Sequence, residues 1–94
     1  MNCGNSMKII EQTTSFKRDF KKYYKDEKIK QILNDVLLKL CNNIPLDNKY
    51  KNHSLKGIYL GYYDCHILPD LILIYELTIF KVSLIRIGSH SELF

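Results

Sequence analysis

The feature that most constrains the fold is an apolar stretch from Leu71 to Ile87, which contains no glycine and no proline. As a single strand it would extend over more than about 50 Å at about 3.3 Å per residue, several times the length of a usual strand. We therefore predict two strands, Leu71 to Leu77 and Phe80 to Ile87, that form an antiparallel hairpin. The junction Thr78-Ile79-Phe80 has none of the residues that favour hairpin turns, so this prediction depends on length and not on turn chemistry.

Two amphipathic helices are predicted in the first half of the chain. The apolar stripe of the first contains Phe16, Phe20, Tyr23 and Tyr24, which we expect in the core. That of the second contains Ile29, Ile32, Leu33, Val36, Leu37 and Leu40. The cluster Thr13-Thr14-Ser15 supplies an N-cap for the first helix, and Asp26 supplies one for the second. The short connection between the two helices predicts an antiparallel pair.

Two further strands complete the predicted fold, one over Met7 to Gln12 and one over Ile58 to Ile67. The element order β-α-α-β-β-β indicates the α+β class, with two antiparallel helices packed on one face of a four-stranded, mainly antiparallel sheet. Ninety-four residues leave room for one domain, which we place at residues 7 to 94. Residues 1 to 6 are polar and are expected to form a disordered lead-in.

Charge is unevenly distributed along the chain. Residues 1 to 56 hold 12 Lys and Arg against 6 Asp and Glu, a net +6, whereas residues 57 to 94 hold 2 against 4, a net −2. The basic half suits an anionic partner, either nucleic acid or an acidic protein segment, although lysine-rich helices are also commonly just solvated. No apolar run approaches the roughly 20 residues of a membrane span, and the N-terminus lacks the hydrophobic segment of a signal peptide. We therefore expect a cytoplasmic protein without membrane contact.

The loop over residues 43 to 57 is too long for a plain connector and is a candidate for function. It carries His53 together with Lys49, Lys51 and Lys56. Lysines grouped in this way attract a phosphate backbone, so we predict that these three contact RNA.

The predicted hairpin returns the end of the chain to the strand end at residues 64 to 70. His66, Asp70, Arg86 and His90 then converge. A base, an acid and a cation within reach of one another are what metal-free RNA cleavage requires, because the 2′-hydroxyl must lose a proton, the 5′-oxygen must gain one, and the phosphorane-like charge must be neutralised. The pattern predicts a small ribonuclease.

Each of these residues also has a structural interpretation. Asp70 is compatible with a surface carboxylate after a proline turn, Arg86 with a salt bridge to Glu76, and Phe94 with either a frayed terminus or a base-stacking platform. A zinc site is disfavoured, because the three histidines give no short chelating pair and Cys65 points to the opposite face of its strand from His66. We expect neither a metal nor a cofactor.

Several short motifs in fixed order resemble the YafQ branch of the RelE-type bacterial toxins, over nearly the whole chain from residue 7 to residue 94. They are Tyr50-Lys51-Asn52-His53 with Leu55 and Gly57, Gly61-Tyr62, Asp64-Cys65-His66, Pro69-Asp70, Leu73-Ile74-Tyr75, and Arg86, Gly88, His90 and Leu93-Phe94. The chain departs from the family pattern at Leu71, where a tryptophan is usual, and at Leu60 and Tyr63, where basic residues are common.

The resemblance implies a RelE-like fold and the toxin of a type II toxin-antitoxin pair. Such a toxin enters the ribosomal A site, cleaves mRNA there without a metal, and is neutralised in a hetero-oligomer with a cognate antitoxin protein. By match to the family, the active-site residues are His53, His66, Asp70, Arg86, His90 and Phe94.

Two other functions remain open from the sequence. The first is a non-enzymatic ParE-like toxin that binds and inhibits DNA gyrase, for which a histidine-rich edge is not needed. The second is a catalytically silent module whose basic helices hold an acidic partner.

Overall fold

The computed structural model describes residues 8–94, so Met7 and the lead-in predicted for residues 1 to 6 lie outside the described residues. The elements in chain order are β1 (Ile9–Gln12), α1 (Thr14–Phe20), α2 (Glu27–Cys41), β2 (His53–Ser54), β3 (Tyr63–Leu68), β4 (Leu71–Leu77), β5 (Lys81–Gly88) and α3 (His90–Leu93). The predicted α+β class is confirmed, but in the described part of the chain the sheet has five strands and not four, in the order β1-β5-β4-β3-β2. Within residues 8–94, no helix is long and apolar enough to cross a membrane.

The predicted β4-β5 hairpin is confirmed, and a threonine supplies its turn chemistry. The Thr78 hydroxyl accepts hydrogen bonds from the backbone N–H groups of Phe80 at 3.1 Å and Lys81 at 3.0 Å. The Thr78 N–H in turn donates to the Lys81 carbonyl at 2.9 Å. A side-chain hydroxyl that bonds the nearby backbone stabilises a turn without glycine or asparagine, which is why turn composition gave no signal.

The strand predicted for Ile58 to Ile67 is wrong in its first half. Gly57–Tyr59 forms a single 3-10 turn, and Gly61 has a φ of 95°, a left-handed conformation that interrupts an extended chain. Pairing with β4 therefore begins only at Tyr63. The additional strand β2 pairs His53 with Asp64 and Ser54 with Tyr63, and two residues are too few to show an alternating pattern.

The predicted N-caps of both long helices are confirmed. The Thr13 hydroxyl accepts from the Phe16 N–H at 3.0 Å, and the Asp26 carboxylate accepts from the Ile29 N–H at 3.1 Å. Helix α1 ends at Phe20, so the predicted aromatic stripe extends beyond it. Tyr24 is 49% exposed, and its prediction as a core residue is wrong.

Both faces of the central strand β4 are covered, which explains its continuous apolar sequence. One face packs under α1 and α2 and contains Leu71, Leu73 and Tyr75. The opposite face contains Ile72 and Ile74, which pack against Leu93 of α3. Among residues 8–94, a one-turn helix and short loops cover this second face, and the candidate site lies on it.

Candidate active site

A row of paired residues crosses four strands on the α3 side of the sheet. His53 is opposite Asp64, Asp64 is opposite Ile74, and Ile74 is opposite Arg86. In the next row, His66 is opposite Ile72, which is opposite Gly88 at the end of β5. Directly opposed residues share a face of the sheet, so strand pairing places the polar groups beside the apolar patch of Ile72 and Ile74.

Helix α3 lies next to the turn between β3 and β4. Its N-cap is Ser89, which forms a capping box with Glu92. The backbone N–H of His90 donates to Asp70 Oδ1 at 3.0 Å, so the turn and the helix start are joined directly. The rings of His90 and Phe94, one helical turn apart, have centroids 5.0 Å apart. The structure thus brings together Asp70, His90 and Phe94, all of them exposed to solvent.

His66 is half-buried near the same turn. Its Nδ1 lies 3.2 Å from the carbonyl oxygen of Pro69. Because a carbonyl oxygen only accepts, this contact is a hydrogen bond when the ring proton is on Nδ1. The Nε2 of the neutral ring is then an acceptor, which is the state a general base needs.

His53 pairs with a buried carboxylate that the sequence interpretation did not select. Its Nδ1 lies 3.6 Å from Asp64 Oδ1, a distance suited to an ion pair and too long for a hydrogen bond. Asp64 is 7% exposed, and its Oδ1 has no hydrogen-bond partner within residues 8–94. Burial raises the pKa of Asp64, while the nearby His53 and His66 rings act in the opposite direction. An alternating strand pattern can assign Asp64 to one face of the sheet, but it gives no signal for burial of the carboxylate.

Arg86 is held by an acidic residue of α1. Its Nε and Nη2 donate to the Asp19 carboxylate at 2.6 and 3.1 Å, in the bidentate geometry that arginine and carboxylate favour. The hydrogen bonds with Asp19 raise the pKa of Arg86. The alternative prediction of a salt bridge between Arg86 and Glu76 is therefore wrong. The sequence gives no signal for the contact with Asp19, because the two residues are 67 positions apart.

Tyr59 connects Arg86 to the end of the chain, a role that sequence reasoning missed. Its hydroxyl donates to the Leu93 carbonyl at 3.0 Å, and its ring meets that of Phe94 edge-on with centroids 5.5 Å apart. Tyr59 also interacts electrostatically with Arg86. The 3-10 turn, and not the predicted strand, places Tyr59 here.

The three lysines predicted to contact RNA occupy different positions. Lys49 and Lys51 line a groove of about 370 Å³ that His66 also lines, between α2 and the end of β3. The Lys49 ammonium lies 5.2 Å from the centre of the Tyr50 ring. Lys56 is exposed just before the 3-10 turn and does not line this groove. Two of the three lysines thus adjoin one histidine of the site.

The three departures from the family pattern are structurally distinct. Leu71 is 4% exposed and packs in the core, so its side chain is not available to a substrate. Leu60 is exposed, and Tyr63 stacks on Tyr75 with ring centroids 5.8 Å apart. Across the residues that the structure describes, no three His, Cys, Asp or Glu side chains are grouped as a metal site would require.

Comparison with known proteins agrees with the fold and with the motifs. The family model described as "Bacterial toxin of type II toxin-antitoxin system, YafQ" matches residues 8–94. The mRNA interferase toxin YafQ of Escherichia coli strain K12 is 40% identical over 86 residues, which are 90% of this chain and 94% of the relative.

Solved structures show the same relationship. The metal-bound toxin from Helicobacter pylori has a TM-score of 0.83 and 39% identity, over 94% of this chain and 100% of the other. YafQ in the E. coli DinJ-YafQ toxin-antitoxin complex has a TM-score of 0.80 and 38% identity, over 94% and 98%. The YoeB dimer from Staphylococcus aureus, at 22% identity and a TM-score of 0.76, shares the fold. The chain therefore belongs to the YafQ family of bacterial toxins of type II toxin-antitoxin systems.

Proposed function

We propose that this chain is an mRNA interferase, an endoribonuclease that inhibits translation by cleaving mRNA in the ribosomal A site without a metal. The E. coli relatives, 40% identical, are named mRNA interferase toxins. E. coli YafQ has been solved in complex with the DinJ antitoxin, which supports neutralisation of this chain by its own cognate antitoxin. We place this reaction in the cytoplasm as part of the proposal.

The observation that carries the proposal is the clustering of proton-transfer groups around the start of α3. Asp70 contacts the His90 backbone, and His66 contacts the carbonyl of the residue before Asp70. All three are accessible, as groups that act on an external polymer must be.

The carboxylate of Asp70 and the imidazole of His66 are the two candidates for the role of base. One oxygen of Asp70 already accepts the His90 N–H, whereas His66 has Nε2 free to accept when Nδ1 bonds Pro69. This geometry favours His66 as the base that takes the 2′-hydroxyl proton, with Asp70 fixing the position of His90.

His90 then acts as the acid that protonates the leaving 5′-oxygen, and Arg86 neutralises the equatorial phosphate oxygens as charge accumulates. Phe94 limits the motion of the His90 ring and offers a face on which a base can stack. His53 contributes through Asp64, whose ionised form it favours.

Cleavage of a ribosome-bound mRNA by the purified protein tests the proposal. We expect His90→Gln to reduce the single-turnover cleavage rate by about 10² to 10⁴, because glutamine retains the size of the side chain but transfers no proton at neutral pH. Ser91→Ala, a change at the next exposed position of α3, is the matched control and should retain activity. Equal rates for His90→Gln and wild type would exclude His90 as the acid. Intact mRNA together with inhibited DNA gyrase would instead indicate the ParE-like function.

A further inference from the structure

The carboxylate of Asp19 joins α1 to the end of β5. Its Oδ2 accepts from Arg86 Nε at 2.6 Å and from the Ile87 backbone N–H at 3.2 Å, and its Oδ1 accepts from Arg86 Nη2 at 3.1 Å. The Asp19 side chain is only 12% exposed, compared with 28% for Arg86. Three hydrogen bonds at low exposure make this a fixed contact, unlike a typical surface ion pair.

The position of Asp19 follows from where β1 ends. Strand β1 pairs with β5 only as far as Gln12 and Leu84, so within residues 8–94 the remaining edge of β5 has no strand beside it. The Thr13 hydroxyl donates to the Ile85 carbonyl at 2.7 Å, and Asp19 accepts the N–H of Ile87. Helix α1 thus replaces the missing strand at the segment that carries Arg86.

We propose that Asp19 is a positioning residue for RNA cleavage, which holds the Arg86 guanidinium in place before the scissile phosphate arrives. This inference rests on the proposed function. The two hydrogen bonds from Arg86 to Asp19 use Nε and Nη2, so Asp19 does not engage Nη1; Tyr59 also interacts with this guanidinium. In the proposal, Nη1 is the nitrogen that binds a phosphate oxygen. A long arginine side chain loses rotamer freedom when it binds, and a carboxylate that already fixes one edge of the guanidinium reduces that loss.

Neutralising Asp19 should have opposite effects on the binding of RNA and on the stabilisation of the transition state. Asp19 lowers the net positive charge beside the substrate, so its neutralisation strengthens the general attraction of RNA. A looser guanidinium nevertheless stabilises the transition state less well. Asp19→Asn should therefore lower kcat while KM stays the same or falls.

A double-mutant cycle separates positioning from a structural role. We expect Asp19→Asn to lower the kcat of mRNA cleavage about tenfold or more in the wild-type background, and to cause no further loss in the Arg86→Ala background. The bond from Ile87 does not involve the Arg86 side chain, so the part of any loss of thermal stability that comes from this bond should persist in both backgrounds. Asp35→Asn, the same chemical change at an exposed position of α2, is the control and should leave kcat unchanged.

The ¹⁵N resonance of the Arg86 side chain gives a readout that does not depend on activity. Its Nε–H signal should be sharp and slow to exchange in wild type and in Asp35→Asn, and broadened in Asp19→Asn. An unchanged kcat in Asp19→Asn, or an equal loss with and without Arg86, would overturn the positioning role while wild-type cleavage still supports the proposed function. A wild-type protein that cleaves no mRNA would overturn both.

Discussion

Among the residues of the site, Asp64 has the most unusual environment, because its charged side chain is buried. It is 7% exposed, its ion-pair partner His53 lies 3.6 Å away, and the strand opposite contributes the apolar Ile74. Removing a carboxylate from water disfavours its charged form, and the nearby His53 and His66 rings only partly offset this. A pKa shifted by burial and by neighbouring charges is typical of functional sites.

Asp64→Asn should therefore alter how stability depends on pH. The raised pKa of Asp64 means that its contribution to stability is fully present below its unfolded pKa and is lost as pH rises through the folded pKa. The difference in free energy of unfolding between Asp64→Asn and wild type should shift in favour of the variant as pH rises from 4 to 7. Urea unfolding across this range measures it. A difference that stays constant would show that His53 and His66 cancel the effect of burial on the Asp64 pKa, and a shift the other way would show that they outweigh it.

At the scale of elements, the one-turn helix α3 is too short to be stable alone and depends on contacts at its ends. Its capping box joins Ser89 and Glu92, and Glu92 also forms a salt bridge of 2.6 Å with Lys22, just after α1. A Cβ at Gly88 would lie 3.1 Å from Glu92 Oε1, so the Glu92 side chain packs closely against the backbone just before α3. Glu92 thus anchors the helix that presents His90 and Phe94.

Protonation of Glu92 at low pH should weaken its contacts with Lys22 and Ser89 over a defined pH range. The hydrogen bond from Lys22, with those from Ser89, lowers the pKa of Glu92 to about 2. Its stabilising contribution is present above its unfolded pKa of about 4.3 and is lost as pH falls towards 2. Glu92→Gln should show a weaker loss of stability than wild type between pH 4.5 and 2, measured by thermal melting. Parallel losses in the two proteins would contradict a stabilising role for this contact.

Elements with a local sequence pattern were predicted correctly, whereas elements that depend on tertiary contacts were missed. The helical stripes, the caps at Thr13 and Asp26 and the length argument for the β4-β5 hairpin predicted the helix pair and the hairpin, because these signals are local. Strand β2, the 3-10 turn at Tyr59 and the Asp19 contact were missed. They depend on a two-residue pairing, a glycine conformation and a pair of side chains far apart in the chain, none of which leaves a periodic trace.

At the scale of the whole molecule, the net charge is +4, and exposed lysines lie on α1 and α2 and in the connection between them. A cognate antitoxin that covers this surface should associate rapidly, at a rate that depends on salt. The reason is that the Debye screening length falls from about 30 Å at 0.01 M salt to about 8 Å at 0.15 M. Stopped-flow association rates should therefore fall as salt rises. Rates that stay flat would indicate a chiefly apolar contact.

In the proposed reaction, side chains of the protein activate the 2′-hydroxyl of the RNA itself, and this hydroxyl breaks the phosphodiester bond. Intramolecular attack by this hydroxyl gives a 2′,3′-cyclic phosphate or 3′-phosphate upstream and a free 5′-hydroxyl downstream. The most direct measurement compares cleavage of an all-ribose mRNA with cleavage of the same mRNA carrying a single 2′-deoxy nucleotide at the scissile position. We expect these ends on the first substrate and no cleavage at that position of the second. Efficient cleavage of the deoxy substrate, or fragments with 5′-phosphates, would contradict it.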